Sequence, residues 1–407
     1  MTGQPLLSVS DALARVLAGA GPVGSEAVDY AAALGRTLVE PLAARRTQPP
    51  FRSSAMDGYA VRAANAQTGA ELRVIGESSA GHVFEQPLNS GEAVRIFTGG
   101  ALPEGADAIL IQENAKRDAD RVRVLTGVTE GQFVRAEGLD FRSGDVLVEP
   151  GQRLSPRMVG LAAATGNVQV HVARKPCVAV LSTGDELVPP GAEPRRGQIT
   201  ASNNSALCAL VEAAGGEATD FGIAADDLDT IRAACRRARD EGFDVLVTTG
   251  GASVGDHDLI RPALAAEGMT LDFWRIAMRP GRPMMFGTLG GMRTLGLPGN
   301  PVSAHVCAWL FLVPLVRALL GRREIHHRLE RAQLSIALPA NDWREDYVRG
   351  RLTFDSHGVP VASPAQKQDS SMLRVLADSN CLIVRAANEG PQPAGSVCRV
   401  LRLTDFD

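Results

Sequence analysis

The sequence predicts a multi-domain chain of mixed α/β and β architecture, in which a doubly wound α/β domain sits between two β-rich parts. Three observations carry that expectation. The 407 residues exceed what one hydrophobic core usually supports. From Cys177 to about Leu320, short buried-type strands alternate with helical segments, the texture of a doubly wound sheet. On either side, short apolar runs are separated by Gly, Asn, Asp and Pro, the texture of small β domains.

The elements follow in order. Ser8 or Ser10 caps a short amphipathic helix over residues 8 to 20, with Leu13, Val16 and Leu17 at helical spacing. From about Thr47 to Asp140, the runs Leu72 to Ile75, Ala93 to Phe97, Ala108 to Ile111 and Val122 to Leu125 read as strands. Residues 152 to 166 read as a helix, with Ser155-Pro156 at its start and Gly166 past its end. In the α/β region, Cys177 to Leu181, Asp244 to Thr248 and Arg293 to Leu297 read as strands, and Ser205 to Ala214 and Asp229 to Glu241 as helices. After Gly321, the runs Ala332 to Leu338, Tyr347 to Phe354, Leu382 to Arg385 and Val397 to Leu403 predict a small C-terminal β-barrel.

Composition narrows the function. A net charge of −4 with no basic block carries no footprint for nucleic acid or for an anionic membrane surface. The six cysteines form no Cys-x-x-Cys pair and, with the histidines, no zinc spacing; they read as reduced thiols of a cytoplasmic protein. No charged start and apolar run of a signal peptide opens the chain. Val302 to Leu320 is strongly apolar, but Ser303, His305, Pro314 and Arg317 interrupt it, so a buried helix is expected rather than a membrane span.

The chemistry is expected where the α/β strands end. Three segments run from strand to Gly-rich turn: the first carries Ser182, Thr183, Gly184, Asp185 and Glu186. The second carries Gly250, Gly251, Ser253 and Gly255, and the third Pro298, Gly299, Asn300, Pro301 and Ser303. In open α/β sheets ligands bind beyond the strand carboxyl ends, where Gly lets backbone N–H groups approach a phosphate and a following helix favours the anion. Any one of these glycines is also explained by a tight turn alone. Three such turns with hydroxyl residues at their tips favour a common cleft.

Carboxylates crowd the same loops: Asp185, Glu186, Asp226, Asp227, Asp256 and Asp258. Beside an anion site they fit Mg²⁺, which prefers oxygen ligands and bridges phosphates. They equally fit the paired N–H donors of an amino-substituted heterocycle. Simple solvation is the third reading, favoured for Asp256. Arg275, Arg279 and Arg282 offer planar, permanently charged forks for tetrahedral oxyanions, on a segment stiffened by Pro280 and Pro283.

Six blocks then occur in order: Ser54-Ala-Met-Asp-Gly-Tyr59, Thr98-Gly99, Ser182-Thr-Gly-Asp-Glu-Leu187, Gly250-Gly-Ala-Ser-Val-Gly255, Arg279-Pro-Gly-Arg-Pro283 and Gly299-Asn-Pro-Val-Ser-Ala304. Together they resemble the molybdopterin molybdotransferases, a family that includes the gephyrin E domain. The resemblance implies that residues 7–26 and 177–325 form a molybdopterin-binding α/β domain and that 27–44 and 141–176 form a connecting domain. It further implies an inserted β-rich domain over 45–140 and a C-terminal barrel over 326–407.

The resemblance also implies a homodimer with a shared site, in which Asp57, Thr98 and Asp140 of one subunit complete a site begun by Glu186, Asp226 or Asp227, and Asp258 of the other. The implied substrates are adenylylated molybdopterin and molybdate, with Mg²⁺ assisting adenylate cleavage and AMP released. The Gly-rich loops would take phosphate and pterin, and Glu186 and Asp258 the metal. Arg275 would join the catalytic set, with Arg279 and Arg282 holding molybdate and Arg349, Ser370 and Ser371 standing near it.

This chain departs from the family pattern where Arg275, Arg279 and Arg282 replace frequent lysines, which keeps charge but removes proton transfer. It departs again in the Gln198-Ile-Thr-Ala-Ser-Asn203 stretch, which has Ala201 where an acidic residue is expected. The strand-end loops alone fit molybdopterin adenylylation as well as metal insertion; the extra domains and Asp57 favour insertion. A scaffold is the non-enzymatic alternative, and tungstate is open as a substitute for molybdate.

Overall fold

The computed structural model describes residues 6–250 and 259–403. Gly251, Ser253, Gly255, Asp256 and Asp258, named above as site candidates or loop acids, lie outside the described residues.

The chain builds a multi-domain α/β and β molecule, as the sequence predicts. The first helix, α1 (Val9–Leu17), starts where Ser8 accepts a hydrogen bond from the Asp11 N–H at 3.1 Å, satisfying one orphan donor of the first turn. It buries Val9, Ala12 and Val16 against the α/β core. That core is one six-stranded sheet made from β1 (Cys177–Thr183), β2 (Glu217–Ala224), β3 (Val245–Thr249), β4 (Thr270–Trp274), β5 (Met285–Leu289) and β6 (Met292–Leu297). The order is β2-β1-β3-β6-β5-β4. The strands from β2 to β6 in that order are parallel; β5 runs antiparallel to both its neighbours.

The period-two alternation expected of strands is visible in side-chain placement. Val178, Val180, Val245 and Val247 face the apolar layer of α1, α2 (Asn203–Ala214) and a long helix over Pro301–Leu319. Ala179, Leu181 and Leu246 face the opposite layer, with Ile231 and Cys235 of the helix α3 (Leu228–Asp240) and Ile260 and Leu264 of α4 (Ile260–Ala266). Strands covered on both faces lose the polar alternation, which explains their continuous apolar runs. The helix over Pro301–Leu319 is the apolar segment considered above as a span: from Val302 to Leu320 every residue but His305 is buried in the protein. Its middle widens to a π-turn over Ala308–Leu312, just before Pro314, whose missing N–H breaks the regular ladder.

Three smaller cores surround this one. The four strands expected between 47 and 140 are present, joined by Gly58–Val61 and Ala115–Asp118 in a six-stranded sheet. A separate apolar cluster joins Ala33, Leu38 and Leu42 to Val148, Leu154, Ala162 and Val172. Here the helix Pro156–Ala164 starts at Ser155 with Pro at its first position, and Gly166 follows with φ +80°. The C-terminal strands Leu329–Leu334, Glu345–Phe354, Pro360–Pro364, Cys381–Arg385 and Val397–Arg402 close on themselves as a five-stranded barrel. Met278–Arg279, from the α/β domain, adds to this barrel in parallel beside Glu345 and Asp346.

Candidate active site

The parallel strands β1, β3 and β6 end side by side, and the turns after them frame a cleft of about 670 Å³. Ser182, Thr183, Glu186, Gly250, Pro283, Pro298, Gly299, Asn300 and Pro301 line it, as the strand-end reading expects. Gly250 has φ +87°, and a Cβ there would lie 2.4 Å from the Thr183 carbonyl oxygen, so only glycine lets these two turns meet. Gly299 in turn stands against Gly250. The helix over Pro301–Leu319 begins at the cleft, so the positive end of its dipole favours an anion there.

A buried hydrogen-bond network holds the turns in register. The Ser182 hydroxyl lies 2.7 Å from that of Thr249 and also donates to Asn204. Asn204 donates to Asp220 and to the Gly222 carbonyl, and Asn203 donates to the Gly299 carbonyl at 2.8 Å. Sequence reasoning named neither Asn204 nor Thr249, and Asn203 only as the end of the Gln198–Asn203 stretch. The one available signal was that stretch, whose Ile199 to Asn203 forms a wall of the cleft. Ala201 stands on that wall with no charge to offer a ligand.

The acids separate into different roles. Glu186 is exposed on the cleft. Asp185 and Asp226 exchange hydrogen bonds with each other's backbone N–H at 3.1 and 3.4 Å, clipping the turn after β1 to that after β2. Asp227 caps α3 through the Thr230 N–H and hydroxyl at 2.8 and 2.7 Å, which holds its carboxyl below the usual range. A helix-capping role is thus visible for Asp227.

Arg275, Arg279 and Arg282 are not among the described residues that line the cleft. Arg279 pairs with Asp346 and, at 3.3 Å, with Asp342 of the barrel. Arg275 has φ +71° and lies over the Trp274 ring at 3.9 Å, while Arg282 lies 5.6 Å from the Trp343 ring centre. Pro283 is what this segment contributes to the cleft lining.

A different cation, Arg349, acts on the barrel side of the cleft through Asp369. The barrel lends Ser371 to the lining, and Ser370 ties it to the strand-end turn, accepting from Asn300 Nδ2 at 2.9 Å and from the Val302 N–H at 3.1 Å. Asp369 accepts from the Ser371 N–H and hydroxyl, and Arg349 adds to the field that depresses its pKa. Arg349 itself is 0% exposed, and none of its three guanidinium nitrogens has a hydrogen-bond partner among the described residues. Burial lowers its pKa, with Asp346 and Asp369 opposing.

Asp57 and Thr98 meet elsewhere. Asp57 accepts from the Thr98 N–H and hydroxyl, while Ser54 and Gly99–Gly100 exchange backbone hydrogen bonds, so two of the sequence blocks fold into one unit. Gly58 is required there, since a Cβ would lie 2.1 Å from the Leu110 carbonyl oxygen. Asp140 and Gly99 line a neighbouring depression of about 380 Å³. Within one chain, none of the described residues between 45 and 140 lines the strand-end cleft.

A doubly wound domain with a strand-end cleft, set between a β-rich insertion and a barrel, defines a multi-domain ligand-binding enzyme scaffold. Residues 7–166 match the MoeA N-terminal region, 179–318 a probable molybdopterin-binding domain and 331–403 the MoeA C-terminal region. The molybdopterin molybdenumtransferase of Haemophilus influenzae is 34% identical over 93% of this chain and 94% of its own length. That of a Nostoc species is also 34% identical, over 93% and 89%. The crystal structure of a molybdopterin biosynthesis MoeA protein from Pyrococcus horikosii superposes with a TM-score of 0.85 at 31% identity, covering 99% of this chain and 100% of that one. The chain belongs to the molybdopterin molybdenumtransferase family.

Proposed function

We propose that this protein inserts molybdenum from molybdate into adenylylated molybdopterin in the cytoplasm, releasing AMP, as a Mg²⁺-assisted homodimer. The observation that carries the anion chemistry is Arg349: a buried guanidinium without a hydrogen-bond partner among the described residues, whose charge acts on Asp369 beside the Ser371 edge of the cleft. A charge left unpaired in the interior is costly, and a tetrahedral dianion entering at this edge compensates it. The strand-end turns and the start of the helix over Pro301–Leu319 take the substrate phosphate. Ser182 and Asn204 keep those turns rigid rather than reacting themselves.

Mg²⁺ bound here supplies charge neutralisation on the phosphate oxygens. Such a site needs one or two carboxylates, the remaining donors coming from phosphate and water, and Glu186 is exposed on the cleft as a fitting oxygen donor. Asp258 is assigned as the second carboxylate. Asp57, held ionised by Thr98, is assigned to the cleft of the partner subunit, since it is not among the described residues lining the strand-end cleft of its own chain. Arg279 serves by joining the barrel to the α/β domain through Asp346, and Arg275 and Arg282 are assigned to the incoming oxyanion by their charge.

The deciding experiment incubates the purified protein with adenylylated molybdopterin, molybdate and Mg²⁺ and assays AMP and active cofactor. Stoichiometric AMP and active cofactor are expected. Cofactor bound but neither product formed would leave a scaffold as the better reading.

A further inference from the structure

The turn that carries Asp57 is held from more than one side. Asp57 immediately precedes the strand Gly58–Val61, Thr98 closely follows the strand Glu92–Ile96, and the two strands run antiparallel with Tyr59 opposite Arg95. Thr98 holds the carboxylate itself. The backbone beside it has separate supports: the Gln112 N–H donates to the Asp57 carbonyl at 3.1 Å, and Arg95 Nη1 donates to the Gly58 carbonyl at 3.2 Å. Arg95 Nη2 donates in turn to Gln112 Oε1 at 2.9 Å, so one guanidinium joins both supports.

Arg95 is itself firmly placed. Its guanidinium carbon lies 5.1 Å from the Tyr59 ring centre and 4.9 Å from that of Phe97, so two aromatic rings restrain the fork. An arginine beside a cross-strand aromatic neighbour is a common way to stabilise a sheet and by itself says nothing about chemistry. What distinguishes Arg95 is where its hydrogen bonds go. Both end on the supports of the Asp57 turn, and its charge favours the ionised carboxyl there. Arg95 thus acts on the carboxylate by its field while its donors hold the backbone and Gln112.

We propose that Arg95 is a positioning residue for Asp57: its fork ties the Gly58 carbonyl to Gln112 and so fixes the direction in which the carboxylate projects from the β-rich insertion. Its effect on turnover rests on the shared-site reading above, in which that carboxylate completes the partner subunit's cleft. A carboxylate that serves another subunit's cleft is not aimed by the walls of its own, so its direction has to be set within the insertion. Lysine cannot take this part, because an ammonium keeps the charge but lacks the planar fork that reaches two acceptors in a fixed geometry. A misplacement of about 1 Å costs on the order of 100-fold in rate, so a loosened Asp57 lowers kcat while substrate held by the strand-end turns keeps its KM.

The test compares Arg95→Lys, Gln112→Ala and the double variant with wild type in AMP release from adenylylated molybdopterin, and follows the Asp57 carboxyl carbon by NMR titration. In Arg95→Lys, kcat should fall about tenfold with KM changed less than about twofold. Gln112→Ala, at an exposed position, should give a smaller fall in the same direction with an unchanged melting temperature. The double variant should fall no further than Arg95→Lys, because both changes break one support. The Asp57 pKa should rise in Arg95→Lys although the charge is kept, since a turn no longer gripped loosens the Thr98 bonds. If Arg95→Lys melts well below wild type, Gln112→Ala carries the comparison. Wild-type kcat, or an unmoved Asp57 pKa, in both single variants overturns the positioning role. Wild-type AMP release in Asp57→Ala would instead remove the shared-site reading, and the Asp57 pKa alone then decides whether Arg95 holds the turn.

Discussion

Asp57 accepts two hydrogen bonds from the single residue Thr98, from its backbone N–H and its hydroxyl, both at 2.8 Å and both through Oδ1. The two bonds hold the carboxyl below its ordinary pKa, with Arg95 contributing in the same direction. A depressed carboxyl adds stability that is present above its unfolded pKa and lost as pH falls through the folded one. Thr98→Val keeps the backbone bond and removes the hydroxyl, so a carboxyl-carbon NMR titration should show the Asp57 pKa rising toward the ordinary value. An unmoved pKa would mean the hydroxyl bond is not formed in solution.

Glu186 faces the cleft, and removing it should leave the fold alone. Glu186→Ala is expected to slow AMP release by about 100-fold or more with an unchanged melting temperature. Asp258→Ala should behave alike. Wild-type AMP release in both variants would take them out of the mechanism.

Arg349 and Arg279 are both cations at the barrel edge, yet their substitutions should differ in sign. Arg349→Met removes a buried, unpartnered charge, so the variant should be as stable as wild type or more so while requiring far more molybdate. Arg279→Met leaves Asp346 unpaired and should lower stability by about 1 kcal/mol, with the molybdate requirement changed less. Melting temperatures and molybdate titrations on the two variants check the contrast. The reverse pattern would return the oxyanion to Arg279.

Gly250 tests the closeness of the strand-end turns. Gly250→Ala places a side chain in a positive-φ position against the Thr183 carbonyl, and a loss of about 1 to 3 kcal/mol is expected in denaturant unfolding. Wild-type stability would show that the turns can part.

A site shared across a two-fold axis has a signature in mixed subunits. Asp57→Ala and Asp258→Ala chains, co-expressed, should form heterodimers in which one site collects both changes and the other neither. Random pairing makes about half the dimers heterodimeric, so activity should recover to about a quarter of wild type. No recovery in dimers verified by differential tags would place each site within one chain.

The fold was legible where a single physical rule governs the residues. Continuous apolar runs such as Val178 to Leu181 announce strands covered on both faces, and Ser155-Pro156 announces a helix start. The three Gly-rich turns pointed to the cleft because strand ends converge in any doubly wound sheet. What stayed hidden depends on the meeting of distant segments. Nothing local marks Met278–Arg279 as an extra barrel strand, Asn204 as the buried keystone under Ser182, or Arg349 as unpartnered. Asp227 reads as a reactive acid next to Asp226 in sequence, whereas its hydrogen bonds to Thr230 are those of a cap.

The pairing of Met278–Arg279 with Glu345–Asp346 means that the barrel is hydrogen-bonded into the α/β domain rather than tethered to it by a linker. Swinging the barrel aside would break backbone bonds, so its wall of the cleft does not act as a lid on a hinge. The two parts should therefore melt in one cooperative transition, with calorimetric and van't Hoff enthalpies for that pair in agreement. Traffic into and out of the cleft then has to use the mouth between fixed walls, and a substrate is admitted by its shape and charge instead of by a moving door.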